Sequence, residues 1–251
     1  MTASDLLTDG SIVLRTLARP GHGLSALADR PRAAVALAVA TALALSAAAV
    51  TVPRTDYGPG EAAVEKPADG PPAPEPTDYE REQSAAAARK LGALLDWAGA
   101  ALLPSALAAL AAGFLVLGFR ASGARASFSP ALAVTAHGML PIWMARALAI
   151  PSALAHAPVS AADVPRLLPS SAAALLPAGA SPGLAGALGA LDLFSLWAVW
   201  LVALGMARAA ETTRTRALVT TLVLYLAFVA VFRMALPALL AAQAAAPAAL
   251  P

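Results

Sequence analysis

Residues 217–242 read ALVTTLVLYLAFVAVFRMALPALLAA, an apolar run in which Arg233 is the one charged side chain. A helix apolar on every side needs an apolar environment on every side. Crossing about 30 Å of hydrocarbon takes about 20 such residues at about 1.5 Å each. The run is therefore read as a membrane-spanning helix.

Working outward, four more blocks of this kind cover residues 33–52, 91–119, 128–150 and 191–207. Pro104, Pro141 and Pro237 fall inside the blocks, where neighbouring helices can satisfy the carbonyls that proline frees. Composition agrees with this pattern. Of 251 residues, 59% are hydrophobic and 13% charged, against about 45–50% and about 25% in soluble domains. A single soluble core cannot hide that much apolar surface. The expected class is all-α, an integral membrane bundle of five transmembrane helices over residues 32–245. A short interfacial N-terminal segment, 1–31, precedes it and a tail, 246–251, follows.

Cysteine is absent, which removes disulfides, thiolate nucleophiles and zinc ribbons. A formal net charge of +2 gives no footprint for nucleic acid. Arg19-Pro20 and Arg30-Pro31 bracket one short turn or helix, expected on the membrane surface. Ser46-Ala47-Ala48 offers small residues for signal cleavage, but about 31 residues ahead of the first block is long for a signal's basic region. The reading taken is a retained helix. Residues 53–90 form a hydrophilic external loop with eight acids. Its Pro67–Pro76 centre favours extended, solvated chain, with a peptide-binding motif as the alternative. Residues 151–190 are too apolar for a free linker and too broken by proline for a clean span. A re-entrant or a surface-lying segment fits.

Orientation follows from basic residues in the connections. Arg15, Arg19, Arg30, Arg32, Arg120, Arg125, Arg208, Arg214 and Arg216 fall on one side. Arg54, Lys66, Arg81, Arg89, Lys90 and Arg166 spread over longer connections on the other. The N-terminus is expected in the cytoplasm and, with five spans, the C-terminus outside.

The run Gly189-Ala190-Leu191-Asp192-Leu193-Phe194-Ser195-Leu196-Trp197 resembles the start of the fourth span in the Yip1 family, where a glycine follows in the same helix, here Gly205. The Arg-Pro-bracketed segment and Ser127-Phe128 leading into His137 to Pro141 resemble other parts of bacterial Yip1-domain proteins. The resemblance implies five spans with the N-terminus inside. Eukaryotic members bind prenylated Rab GTPases through a longer cytosolic N-terminal region, so that role does not carry over to this chain. Bacterial members are mostly of undefined function.

An ionisable group at membrane depth is expensive, at least about 2.5–3.5 kcal/mol on insertion scales. Counting from the cytoplasmic ends places Asp192 roughly 24 Å in, Arg233 roughly 25 Å, Arg146 roughly 27 Å and Asp96 roughly 36 Å. These four form an expected polar layer near the outer face. Asp192 pairing with Arg233 or Arg146 is one reading. The others are arginines snorkelling to headgroups with the aspartates at helix N-termini, or an ion or substrate path. Trp97 and Trp143 are expected to mark the outer interface. His137 sits near mid-membrane, as a hydrogen-bonded neutral imidazole or a proton relay. Ser195 with His137 would suggest a nucleophile and base, but no elbow or oxyanion pattern surrounds Ser195; bonding to Asp192 one turn earlier is simpler. His22, His137 and His156 lack ligand spacing for a metal.

The expectation is a non-enzymatic scaffold or adaptor of the bacterial plasma membrane, without cofactor. Its partners are the lipid bilayer and a membrane or peripheral protein at the cytoplasmic rim, with self-association as a further reading. The alternative is a small transporter using His137 and the Asp/Arg layer, although no internal repeat is seen.

Overall fold

The computed structural model describes residues 3–29, 31–57, 77–155, 158–160, 167–176 and 181–239. The first helices are α1 (Ala3–Ala18), α2 (Pro20–Asp29), α3 (Ala34–Thr51) and α4 (Asp78–Ala121). Then come α5 (Phe128–Gly138), α6 (Leu140–Leu148), α7 (Ile150–Ala155), α8 (Pro182–Ala190), α9 (Leu193–Ala209) and α10 (Arg214–Phe228). α10 continues as a π-helical segment, Val229–Ala235. Two-residue strands β1 (Thr55–Asp56) and β2 (Val159–Ser160) pair in parallel and tie the end of α3 to the chain beyond α7.

Among the described residues, four helical stretches are long and apolar enough to cross a membrane: Ala34–Arg54, Asp78–Ala121, Phe128–Ala155 and Arg214–Leu239. The remaining expected span is α9, which has 17 residues. The third stretch is broken at Met139, ahead of Pro141, whose missing N–H interrupts the ladder. Met139 N–H keeps its bond to the Thr135 carbonyl and also reaches that of His137, the acceptor that Pro141 leaves free.

Small residues set the packing. α3 buries Ala36, Ala40, Ala44 and Ala48, and α4 buries Ala100, Pro104, Ala108 and Ala112, each in steps of four. Such stripes let helix backbones approach closely where no hydrophobic force acts between them in lipid. Ala100 and Ala108 share a cluster with the α3 stripe, Leu140 and Trp143. Further along α4, Ala112, Val116 and Phe119 pack with Val134 of α5 and with Val202 and Met206 of α9. α5 and α9 cross on glycines. A β-carbon at Gly138 would stand 2.6 Å from Val202, and one at Gly205 2.4 Å from Val134.

Three expectations need correction. Residues 78–90 are helix, not loop: Thr77 and Glu80 form a capping box that starts α4 there. Hydropathy marks where the apolar run begins, whereas the cap marks where the helix begins. The 44-residue helix is about 66 Å long, so its N-terminal part projects well beyond the hydrocarbon. Second, the Arg-Pro-bracketed segment is the short helix α2, one of the two expected forms, but it is packed into the bundle and does not lie on the surface. Leu24 and Leu27 of α2 are buried with Ala133 of α5 and Leu201 of α9. Gly23 lies against the Thr16 backbone, closing α1 and α2 into a hairpin. Third, Trp143 is fully buried in the bundle, so it marks no interface. Residues 58–76, which include the Pro67–Pro76 run, and Arg30, His156, Asp163, Arg166, the end of the fifth block and the 246–251 tail lie outside the described residues.

Candidate functional site

Asp192 occupies the N-cap of α9, just beyond the break that separates it from α8. One carboxylate oxygen accepts from the Ser195 backbone N–H at 3.0 Å and from its hydroxyl at 3.3 Å. The other accepts from the Ser170 hydroxyl. Leu193 N–H donates to the Ser170 carbonyl and Ala172 N–H to that of Leu191, a short antiparallel bridge holding the 170–172 strip against the cap. From α10, the Tyr225 hydroxyl donates to the Ala190 carbonyl. Tyr225 also lies within reach of the Ser195 hydroxyl and in the field of both Arg233 and Asp192. Among the described residues, no ion pair joins Asp192 to Arg233 or Arg146. The carboxylate is consumed by capping.

The expected polar layer thus separates into two nodes. In the second, Tyr57, just past β1, donates its hydroxyl to Asp96 of α4. Desolvation and this carboxylate push the Tyr57 hydroxyl up to about 12. Arg146 of α6 feels Asp96 through space and lies over the buried Trp143 ring, 5.3 Å from its centroid. Asp96 and Trp97 themselves are exposed on α4.

His137 is 1% exposed. Its Nδ1 lies 2.9 Å from the Ala133 carbonyl, which can only accept, so Nδ1 carries a proton. The Ser195 hydroxyl donates to Asp192 and so serves the cap.

At the opposite end of α9, three separate segments converge. One cleft is lined by Arg120, Arg125, Ser127 and Glu211, among others. An adjoining cleft of about 660 Å³ runs from Gly21 of α2 past Ser127 and Pro130 to Arg208, Glu211 and Arg214. The 120–127 turn is pinned by the Arg120 Nε donating to the Ala126 carbonyl at 2.8 Å. The N-terminal hairpin and the 120–126 and 208–216 connections, grouped by their arginines in the sequence, therefore meet at one rim.

Ser170, Tyr57 and Tyr225 were not foreseen as members of the polar nodes. Ser170 lies in a segment without periodicity, and a tyrosine in an apolar run carries no signal of its partner. Gly183, Gly186 and Gly189 of α8 face Arg233 and Met234 of the π-helical segment, a close helix approach.

No curated protein and no solved structure matches the chain. The family model for the Yip1 domain matches residues 14–234. That match runs from late α1 through the hairpin, both polar nodes and the rim to the π-helical segment, and the chain accordingly belongs to the Yip1 family, a membrane protein by its helices and by its family.

Proposed function

We propose that this protein is a five-span, non-enzymatic scaffold or adaptor of the bacterial plasma membrane, with its N-terminus in the cytoplasm, its C-terminus outside and its docking face at the basic rim. The observation that carries this reading is the division of polar groups. Those at membrane depth serve the helices themselves: Asp192 caps α9, Tyr225 ties α10 to the α8–α9 junction at Ala190, and His137 bonds Ala133 within α5. The recessed, charged surface lies at the rim instead. Counting α9 as a span, the fourth in chain order, brings the total to five and is supported by its ends. Asp192 begins it beside the Tyr225 node, and Arg208 ends it at the same rim as Arg120 and Arg214.

Affinity purification of the tagged chain from its native membrane in mild detergent, with mass spectrometry of what co-elutes, tests the adaptor reading. Because α1 and α2 are packed into the bundle, deleting them would damage the fold. Substitutions at exposed rim residues, Arg125→Glu and Glu211→Lys, are the cleaner variants. A stoichiometric protein lost with either variant supports the reading. An unchanged profile in both removes it. The transporter alternative draws on the buried His137 at mid-bundle; flux into proteoliposomes that disappears with His137→Ala would favour it.

A further inference from the structure

The two clefts at the rim adjoin through Ser127, Ala209 and Glu211, which line both. Together they gather Arg120, Arg125, Arg208 and Arg214 against a single carboxylate, Glu211. That carboxylate is outnumbered by the guanidinium groups around it. Among the described residues Arg125 and Arg214 form no ion pair, and Arg120 spends only its Nε, on the Ala126 carbonyl. Arg216 adds a further guanidinium beside Gly123. An excess of like charges held together makes a local positive potential that draws an anion. Guanidinium groups present planar pairs of donors matched to phosphate oxygens.

The position selects the source of the phosphate. These arginines sit at the end of α4, the end of α9 and the start of α10, where spans leave the hydrocarbon and headgroups lie. The larger cleft also has an apolar wall, Pro130, Leu204 and Ala207, which suits a glycerol and acyl stem and has no use for a free ion. We propose that the rim clefts bind the headgroup phosphate of an anionic phospholipid. The inference rests on the geometry of the rim and stands whether or not a protein docks there.

The test uses the full chain, delipidated in mild non-ionic detergent, with bound lipid counted by native mass spectrometry. Phosphatidylglycerol is expected to be retained over phosphatidylcholine. The triple variant Arg120→Gln/Arg125→Gln/Arg214→Gln should lose about tenfold or more of that retention, since each basic side chain near an anionic headgroup contributes about fivefold. The matching Lys triple should keep most of it, and Arg89→Gln, at the far end of α4, should change nothing. Equal retention of the two lipids by the unaltered chain overturns the proposal. So does undiminished retention by a folded Gln triple. Displacement of phosphatidylglycerol by millimolar inorganic phosphate would make this a free-anion site and overturn the lipid assignment. If the Gln triple does not fold, the single Arg125→Gln and the lipid and phosphate comparisons on the unaltered chain decide.

Discussion

Gly186 of α8 faces the backbone carbonyl of Arg233 so closely that a β-carbon there would stand 1.9 Å from the oxygen. The reason lies in α10. Pro237 has no N–H to return to that carbonyl, as an α-helix would require, and the chain widens into a π-helical segment whose Leu236 N–H reaches Val231. The glycine α-carbon hydrogens fill the space. Gly186→Ala must push backbone from backbone and is expected to cost about 1–3 kcal/mol. Gly113→Ala, on α4 with open space around it, should be neutral or gain up to about 1 kcal/mol. Thermal unfolding in detergent checks both. Equal melting of the two variants would mean that α8 does not dock on α10.

Asp192 acts as a cap, and a cap does not need its charge. Asparagine caps helices about as well as aspartate, whereas alanine costs about 0.5–2 kcal/mol. Asp192→Ala should therefore lower stability by about 1–2 kcal/mol, while Asp192→Asn should stay within about 0.5 kcal/mol of the parent. If Asn is as damaging as Ala, the charge matters. Coupling between Asp192→Asn and Arg233→Gln in a double-mutant cycle would then identify the partner.

The Tyr57 hydroxyl, raised from 10.0 to about 12 by desolvation and the Asp96 carboxylate, predicts an alkaline weakening of the tie between the end of α3 and α4. The unfolded chain ionises first as pH rises, so the contribution is fully present below pH 10.0 and is lost on the way up through about 12. The phenolate absorbance of the parent minus that of Tyr57→Phe should show this titration displaced to high pH. Asp96→Asn should bring part of it back. A midpoint near 10.0 in the parent would remove the Tyr57–Asp96 bond.

Membrane class, four of the spanning stretches and the shared end of the basic connections were readable from apolar blocks and arginine placement, because bilayer thickness and headgroup charge act on composition directly. Helix ends were less so. α4 starts at a Thr77–Glu80 cap deep inside a segment that hydropathy alone assigns to loop. The polar layer was readable as a set of depths and not as a set of partners. Asp192 meets Ser170, and Asp96 meets Tyr57, across 22 and 39 residues, and nothing local in either pair encodes the other. The hairpin was hidden for a related reason: Leu24 and Leu27 look like one face of a surface helix until Ala133 and Leu201 supply the groove.

That groove makes the last prediction. Leu27 is 0% exposed against α5 and α9, while Leu14 of α1 is 70% exposed. A surface-lying segment would lose little at either position. A hairpin built into the bundle loses the buried side chain and gains a cavity, so Leu27→Ala is expected to cost about 2–5 kcal/mol. Leu14→Ala should fall within about 0.5 kcal/mol of the parent. Protease sensitivity near α2 and the unfolding temperature in detergent should move together in the Leu27 variant. If both stay at parental values, α2 rests on the surface and the rim loses one of its three walls.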